Sequence, residues 1–142
     1  MFYFFVNKKR LLVLFITIIA VLFAMVLFIN HKKSGVLLNT KEKRVAFINS
    51  LGYKVDESLE ETKNIVIPKK FSKVYKNYND LQIKNGFNLE KYKGAKVVQY
   101  TLKIKSNTPT YAHILLYKGH LIGGDISSVN LNGFMKGLKN AS

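Results

Sequence analysis

From Leu11 to Ile29 the chain runs nineteen residues without a charge, LLVLFITIIAVLFAMVLFI, and Thr17 is the only hydroxyl among them. As a helix rising ~1.5 Å per residue this segment spans about 28 Å, close to the hydrocarbon thickness of a bilayer. A helix that is apolar all round needs apolar partners on every side, and a chain of 142 residues cannot supply them. A cleaved secretory signal carries a shorter apolar run, ~7–15 residues, closed by small residues at a cleavage site. Here Ala20 and Ala24 stand four apart instead of two. The sequence therefore predicts an uncleaved transmembrane helix over residues 11–29.

Around it the chain divides into a basic and aromatic head (1–10), a juxtamembrane linker (30–39), a domain (40–138) and a short tail (139–142). Lys8, Lys9 and Arg10 precede the span, His31, Lys32 and Lys33 follow it, and Phe2, Tyr3, Phe4 and Phe5 suit an interfacial aromatic belt. The nearby positive charges do not favour a cytoplasmic N-terminus: three Lys/Arg lie before the span and five follow within about fifteen residues. A first span behind a short basic head nevertheless commonly inserts as a signal anchor. That orientation, with the C-terminal domain outside the membrane, is the one expected.

The domain reads as α+β. Thr40 caps a helix with Val45, Phe47, Ile48 and Leu51 on its apolar side, and Gly52 ends it. Tyr53–Val55 suits a short strand, Asp56–Lys63 (DESLEETK) an acidic turn, and Asn64–Ile67 a strand ended by Pro68. Phe71, Val74, Tyr75, Tyr78, Leu81 and Gln82 then fall on one face of a helix, with Lys73, Lys76, Asp80 and Lys84 opposite. Lys96–Lys105 alternates, with Val98, Tyr100, Leu102 and Ile104 on a buried face and Gln99, Thr101, Lys103 and Lys105 on a wet one. Two more strands, Tyr111–Tyr117 and His120–Ser127, flank a Lys118-Gly119 turn. The expected architecture is two helices packed on an antiparallel sheet that ends in a three-strand meander, all preceded by the transmembrane helix.

Four segments carry a resemblance: NSLGYKV (49–55), IPKKF (67–71), YNDLQIKNGFNLEKYKG (78–94) and LLYKGHLIGGDISSVNLNGFMKGL (115–138). Together they resemble the bacterial family called domain of unknown function 4830. The resemblance implies a small single-span protein with its domain outside the membrane, mostly in Gram-positive bacteria. It implies no activity, cofactor or catalytic residue. The basic residues are nearly all Lys, with only Arg10 and Arg44 as arginines, which suits an AT-rich genome.

The absence of cysteine excludes disulfides, thiolate metal sites and thiol catalysis. If Lys118-Gly119 is a two-residue turn, Tyr117 faces His120 and His113 faces Gly124. The two histidines then share a face but lie ~14 Å apart, too far for one metal ion. No phosphate-binding loop and no dinucleotide fingerprint occur, so no metal and no cofactor are expected. Ser127 and Ser128 follow Asp125 without a nucleophile elbow. Gly123-Gly124 in a strand reads as a bulge or a close backbone approach.

The strongest chemical signal is charge: 23 Lys/Arg against 8 Asp/Glu, a net +15. A basic surface attracts polyanions. Outside a cell those are wall polymers, lipid headgroups or an acidic envelope protein. No nucleic-acid module is legible, so nucleic acid is not the expected partner. The expected function is a membrane-anchored, extracytoplasmic binding or accessory domain, not an enzyme. Its contacts are expected at Lys73, Lys76 and Lys84 and at Gly123, Gly124 and Asp125. The alternatives are a hydrolase-like envelope enzyme using the Asp125/Ser127 region, and a cytoplasm-facing module that binds nucleic acid.

Overall fold

The structure, a computed structural model, describes residues 8–31, 35–130 and 132–139. It divides into two units, Met1–Ser34 and Gly35–Ser142. The first unit contains helix α1 (Lys8–His31), in which the Thr17 hydroxyl donates to the Leu14 carbonyl at 2.8 Å. The described side chains from Leu12 to Met25 are exposed throughout. Among the described residues no helix is long and apolar enough to cross a membrane. The aromatic belt expected at Phe2–Phe5 lies outside the described residues.

In the second unit, helix α2 (Lys41–Ser50) starts where expected, with the Thr40 hydroxyl accepting from the Lys43 N–H at 3.4 Å. Helix α3 (Lys73–Lys84) is capped in the same way by Ser72, whose hydroxyl accepts from the Tyr75 N–H at 3.2 Å. A single 3₁₀ turn (Leu89–Tyr92) follows. Strands β1 (Val55–Val66), β2 (Lys96–Ile104), β3 (Thr110–Tyr117), β4 (His120–Ser128) and β5 (Met135–Gly137) form one sheet in sequence order. Every neighbouring pair is antiparallel.

Because side chains alternate across a strand, each face of the sheet has its own core. On one face Leu102, Ile104, Ala112, Ile114, Leu116 and Ile126 pack with Val45 and Ile48 of α2. On the other, Val97, Leu115 and Ile122 pack with Ile67 and Leu89 beneath Tyr75 and Tyr78 of α3. The α+β class is as expected, but several local expectations need correction. The face of β2 predicted to be wet is half-buried at Gln99 and Thr101, because α3 and the 3₁₀ turn roof the same side of the sheet.

The acidic stretch is no turn. It belongs to β1, with Glu60–Lys63 paired to Leu102–Gln99, while Asp56–Leu59 fall in a register shift. The helix face is also rotated from the predicted one. Val74 is 79% exposed, and the buried positions of α3 are Asn79 and Gln82. The predicted linker reaches into the fold. Leu38 is buried, its N–H donates to the Gly119 carbonyl at 2.9 Å, and the Leu121 N–H donates to the Val36 carbonyl at 2.8 Å.

Candidate functional site

The site begins with a register shift. The Lys118-Gly119 turn has positive φ at both positions, 49° and 80°, as a two-residue type I′ turn requires. Carried up the strands unbroken, that turn sets His113 opposite Gly124. Instead, Leu116 pairs with Leu121 and Leu115 with Gly123, so Ile122 is an extra residue and His113 pairs with Asp125. One extra residue moves everything beyond it to the other face of the sheet. The expected His113–Gly124 pairing is thereby corrected, and Asp125 turns toward α3 instead of the α2 core.

Gly123 lets α3 come close. A Cβ on Gly123 would stand 2.9 Å from Gln82 Oε1 and 3.3 Å from Leu89 Cδ2. Gln82 Oε1 accepts the Gly124 N–H at 2.9 Å. One turn on, Asn85 Nδ2 donates to the Leu81 carbonyl at 2.9 Å, and Asn85 Oδ1 accepts the Lys139 N–H at 2.7 Å. These side chains fasten α3 to β4 and to the residues just after β5. Tyr78, one helical turn before Gln82, is thereby set over Asp125 and donates to its Oδ2 at 2.9 Å.

Asp125 is 3% exposed, and its second oxygen, Oδ1, has no hydrogen-bond partner among the described residues. Burial raises the pKa of this carboxyl above the usual Asp value. The nearby His113, the Tyr78 hydrogen bond and the Ser127 hydroxyl each oppose that rise. The Ser127 hydroxyl favours the ionised form without making a well-formed hydrogen bond to it. Tyr78 is pushed far above the ordinary phenol range, first by burial and then by the Asp125 charge, so it stays neutral and acts as the donor.

His113 Nδ1 lies 3.1 Å from Thr101 Oγ1 and 3.3 Å from Gln99 Nε2. An amide N–H only donates, so with Gln99 in this orientation Nδ1 accepts, and the neutral ring carries its proton on Nε2. Asp125 and His113 open onto a cavity of about 280 Å³ that Tyr75, Tyr78, Gln99 and Met135 also line. A trough of about 580 Å³ continues from Gln99 and His113 across β1, past Glu61, Lys63 and Ser127.

Among the described residues Ser127 makes no hydrogen bond to His113; the hydroxyl held against that ring is the one on Thr101. His120 is occupied elsewhere, its Nδ1 lying 2.9 Å from the Gly35 carbonyl oxygen. Among the described residues no group of three His, Asp or Glu side chains could hold a metal ion. Of the residues singled out in the sequence, Asp125 is at the centre of the site, and Gly123 and Gly124 are the buried backbone beneath α3. Lys73, Lys76 and Lys84 are exposed on the outer side of α3, and Lys84 borders a groove of about 700 Å³ shared with Tyr75, Tyr78 and Met135. Sequence reasoning missed Tyr78, Gln99, Thr101 and His113 as site residues. The break in alternation at Ile122-Gly123-Gly124 was the one signal that could have found them.

Asp125 also sets a pH dependence of stability. A carboxyl whose folded pKa is raised contributes its full stability below the ordinary Asp value, ~3.9. That contribution is lost as pH rises through the raised folded pKa. The Asp125→Asn variant is therefore expected to gain thermal stability relative to the parent as pH rises from about 4 to about 8. Parallel melts across that range test it, and a difference that does not change with pH contradicts it.

Residues 47–126 match the family described as Domain of unknown function (DUF4830). The chain belongs to that family, and the matched region runs from within α2 to within β4, taking in Tyr75, Tyr78, Gln82, Gln99, Thr101, His113 and Asp125 but not Ser127 or Met135. Comparison with curated proteins found no match, and neither did comparison with solved structures.

Proposed function

We propose that this chain is a membrane-anchored, extracytoplasmic binding or accessory domain that uses the α3 side of its sheet. The uncharged run from Leu11 to Ile29 lies within helix α1 and is the anchor in this reading. The binding role rests on one observation. A half-roofed, aromatic and polar cavity opens under α3, whose outer side carries exposed lysines. Lys73, Lys76 and Lys84 suit an anionic envelope component, a wall polymer or lipid headgroups, or an acidic envelope protein.

Two measurements test this reading. Impermeant protease is expected to remove a tag placed after Ser142 from intact protoplasts. Protection until lysis would reverse the orientation, as the five basic residues behind the span favour, and would bring nucleic acid forward as the partner. Replacing Lys73, Lys76 and Lys84 with Gln is expected to weaken association with anionic vesicles at low salt by about tenfold or more. Unchanged association removes the lysine face from the proposal.

A further inference from the structure

The Asp125 cavity has an electrostatic vacancy that the rest of this basic protein does not fill. Of its 23 Lys/Arg, none of those described lines the cavity. The groups facing Asp125 are Tyr75 and Tyr78 from α3, His113 from β3, the neutral Gln99 from β2, Ser127 from its own strand, and Met135 from β5. One carboxylate oxygen is satisfied by Tyr78. The other is buried with no donor among the described residues, and a buried carboxylate in that state is costly.

Around it stand two tyrosine rings, 6.0 Å apart and edge-on to each other, with Ile65, Leu115 and Met135. Such walls suit an aliphatic chain, and aromatic faces attract a cation. A buried carboxylate, an orphaned acceptor and an aromatic-aliphatic sleeve together describe a receptor for an N–H-bearing cation on an apolar stem.

We infer that the cavity takes a primary alkylammonium group of the lysine side-chain type, presented by a peptide, with its nitrogen on Asp125 Oδ1 and its methylene stem against Tyr75, Leu115 and Met135. A quaternary ammonium has no N–H to give the orphaned oxygen. A guanidinium is a wide planar fork, poorly matched to a single acceptor. The inference rests on the α3 side being a binding surface, but not on the membrane anchor or on the lysine face. The ammonium requires an ionised Asp125, so binding sends any proton on that carboxyl to solvent, and affinity rises with pH.

The test uses the full chain in a nonionic detergent and three probes, followed by calorimetry and by amide shifts of Gln99, Leu115 and Gly124. Nα-acetyl-lysine methylamide is expected to bind, and to bind more tightly as pH rises from the ordinary Asp value, ~3.9. The norleucine analogue has the same stem without the nitrogen. It is expected to bind at least about tenfold more weakly, the scale of one lost charge-assisted hydrogen bond. Ethanolamine carries the same cation on a two-carbon stem and is also expected to bind at least about tenfold more weakly.

Asp125→Asn is expected to lose the preference for lysine over norleucine. An Asp125→Asn amide spectrum as well dispersed as the parent's, with a cooperative melt, separates lost binding from simple misfolding. Equal affinity for lysine and norleucine analogues in the parent protein overturns the inference. So does an Asp125→Asn variant that still discriminates between them. Equal binding of ethanolamine overturns the apolar stem. None of these outcomes alters the protease or vesicle results, so this inference and the proposed function fail separately.

Discussion

Arg44→Ala is expected to destabilise the Gly35–Ser142 unit by about 3–5 kcal/mol, the cost of breaking a buried ion pair from one side. Arg44 is 5% exposed although it lies on a ten-residue surface helix. Its Nε and Nη2 donate to the two Glu60 carboxylate oxygens at 2.7 and 3.0 Å, and its Nη1 donates to the Leu38 carbonyl at 3.0 Å. The guanidinium also stacks 3.6 Å from the centre of the Tyr100 ring. A single side chain thus joins α2, β1, β2 and the segment leading into the domain.

Truncation strands the Glu60 carboxylate, whose side chain is only 12% exposed, and leaves the Leu38 carbonyl unpaired. Lysine is not a conservative replacement, since a point ammonium cannot reproduce the two-pronged contact and the ring stacking together. Denaturant melts of Arg44→Ala, Glu60→Gln and the double variant give the coupling between them. A loss below about 1 kcal/mol for Arg44→Ala, the range of exposed pairs, would show that the pair is solvated in solution.

The second large effect is expected at Gly124. A Cβ there would collide with the His113 carbonyl oxygen and stand 2.8 Å from Leu138 Cδ1. The oxygen belongs to the central β3–β4 pairing and cannot swing away like a side chain. Gly124→Ala is therefore expected to cost about 3 kcal/mol, the upper end for overpacking a well-packed interior. Strain at that point also falls on the pairing of His113 with Asp125, so the variant is expected to lose the Asp125-dependent change of stability with pH. Gly52→Ala is the contrast. Nothing lies within 4 Å of a Cβ there, and the cost is only that of φ +92° in an L-residue, about 1–2 kcal/mol. If the two glycines prove equally tolerant of alanine, the close approach at Gly124 is relieved by a local shift.

Much of the scaffold was legible because its signals are local. Thr40 and Gly52 bound α2 through backbone capping and a left-handed turn, and Lys118-Gly119 closes a hairpin through its own dihedrals. The helical period around Tyr75 and Tyr78 placed α3 over an apolar surface. Where the sequence misled, a distant partner had overridden local preference. Glu60 reads as part of a solvated acidic turn until Arg44, sixteen residues earlier, supplies its partner, and Glu60–Lys63 become strand because β2 completes their backbone pairing. Gln82 shares the predicted apolar face of α3, but its side chain and that of Asn85 are polar. They are buried because each reaches a backbone group forty or more residues away.

What the linear chain decides is its division into an uncharged helix and a basic α+β domain, its lack of thiol chemistry, and the turns that order its strands. Periodicity, charge and φ preference act over a few residues and need no partner. The sequence points to Gly123, Gly124 and Asp125, but only the tertiary structure completes the site. Whether Asp125 faces the α2 core or the α3 cavity depends on the single extra residue at Ile122, and alternation in the sequence does not reveal on which strand such a residue is absorbed. The same carboxyl that reads as the end of a strand becomes, one position out of register, a buried acid beneath Tyr78 with one oxygen unanswered.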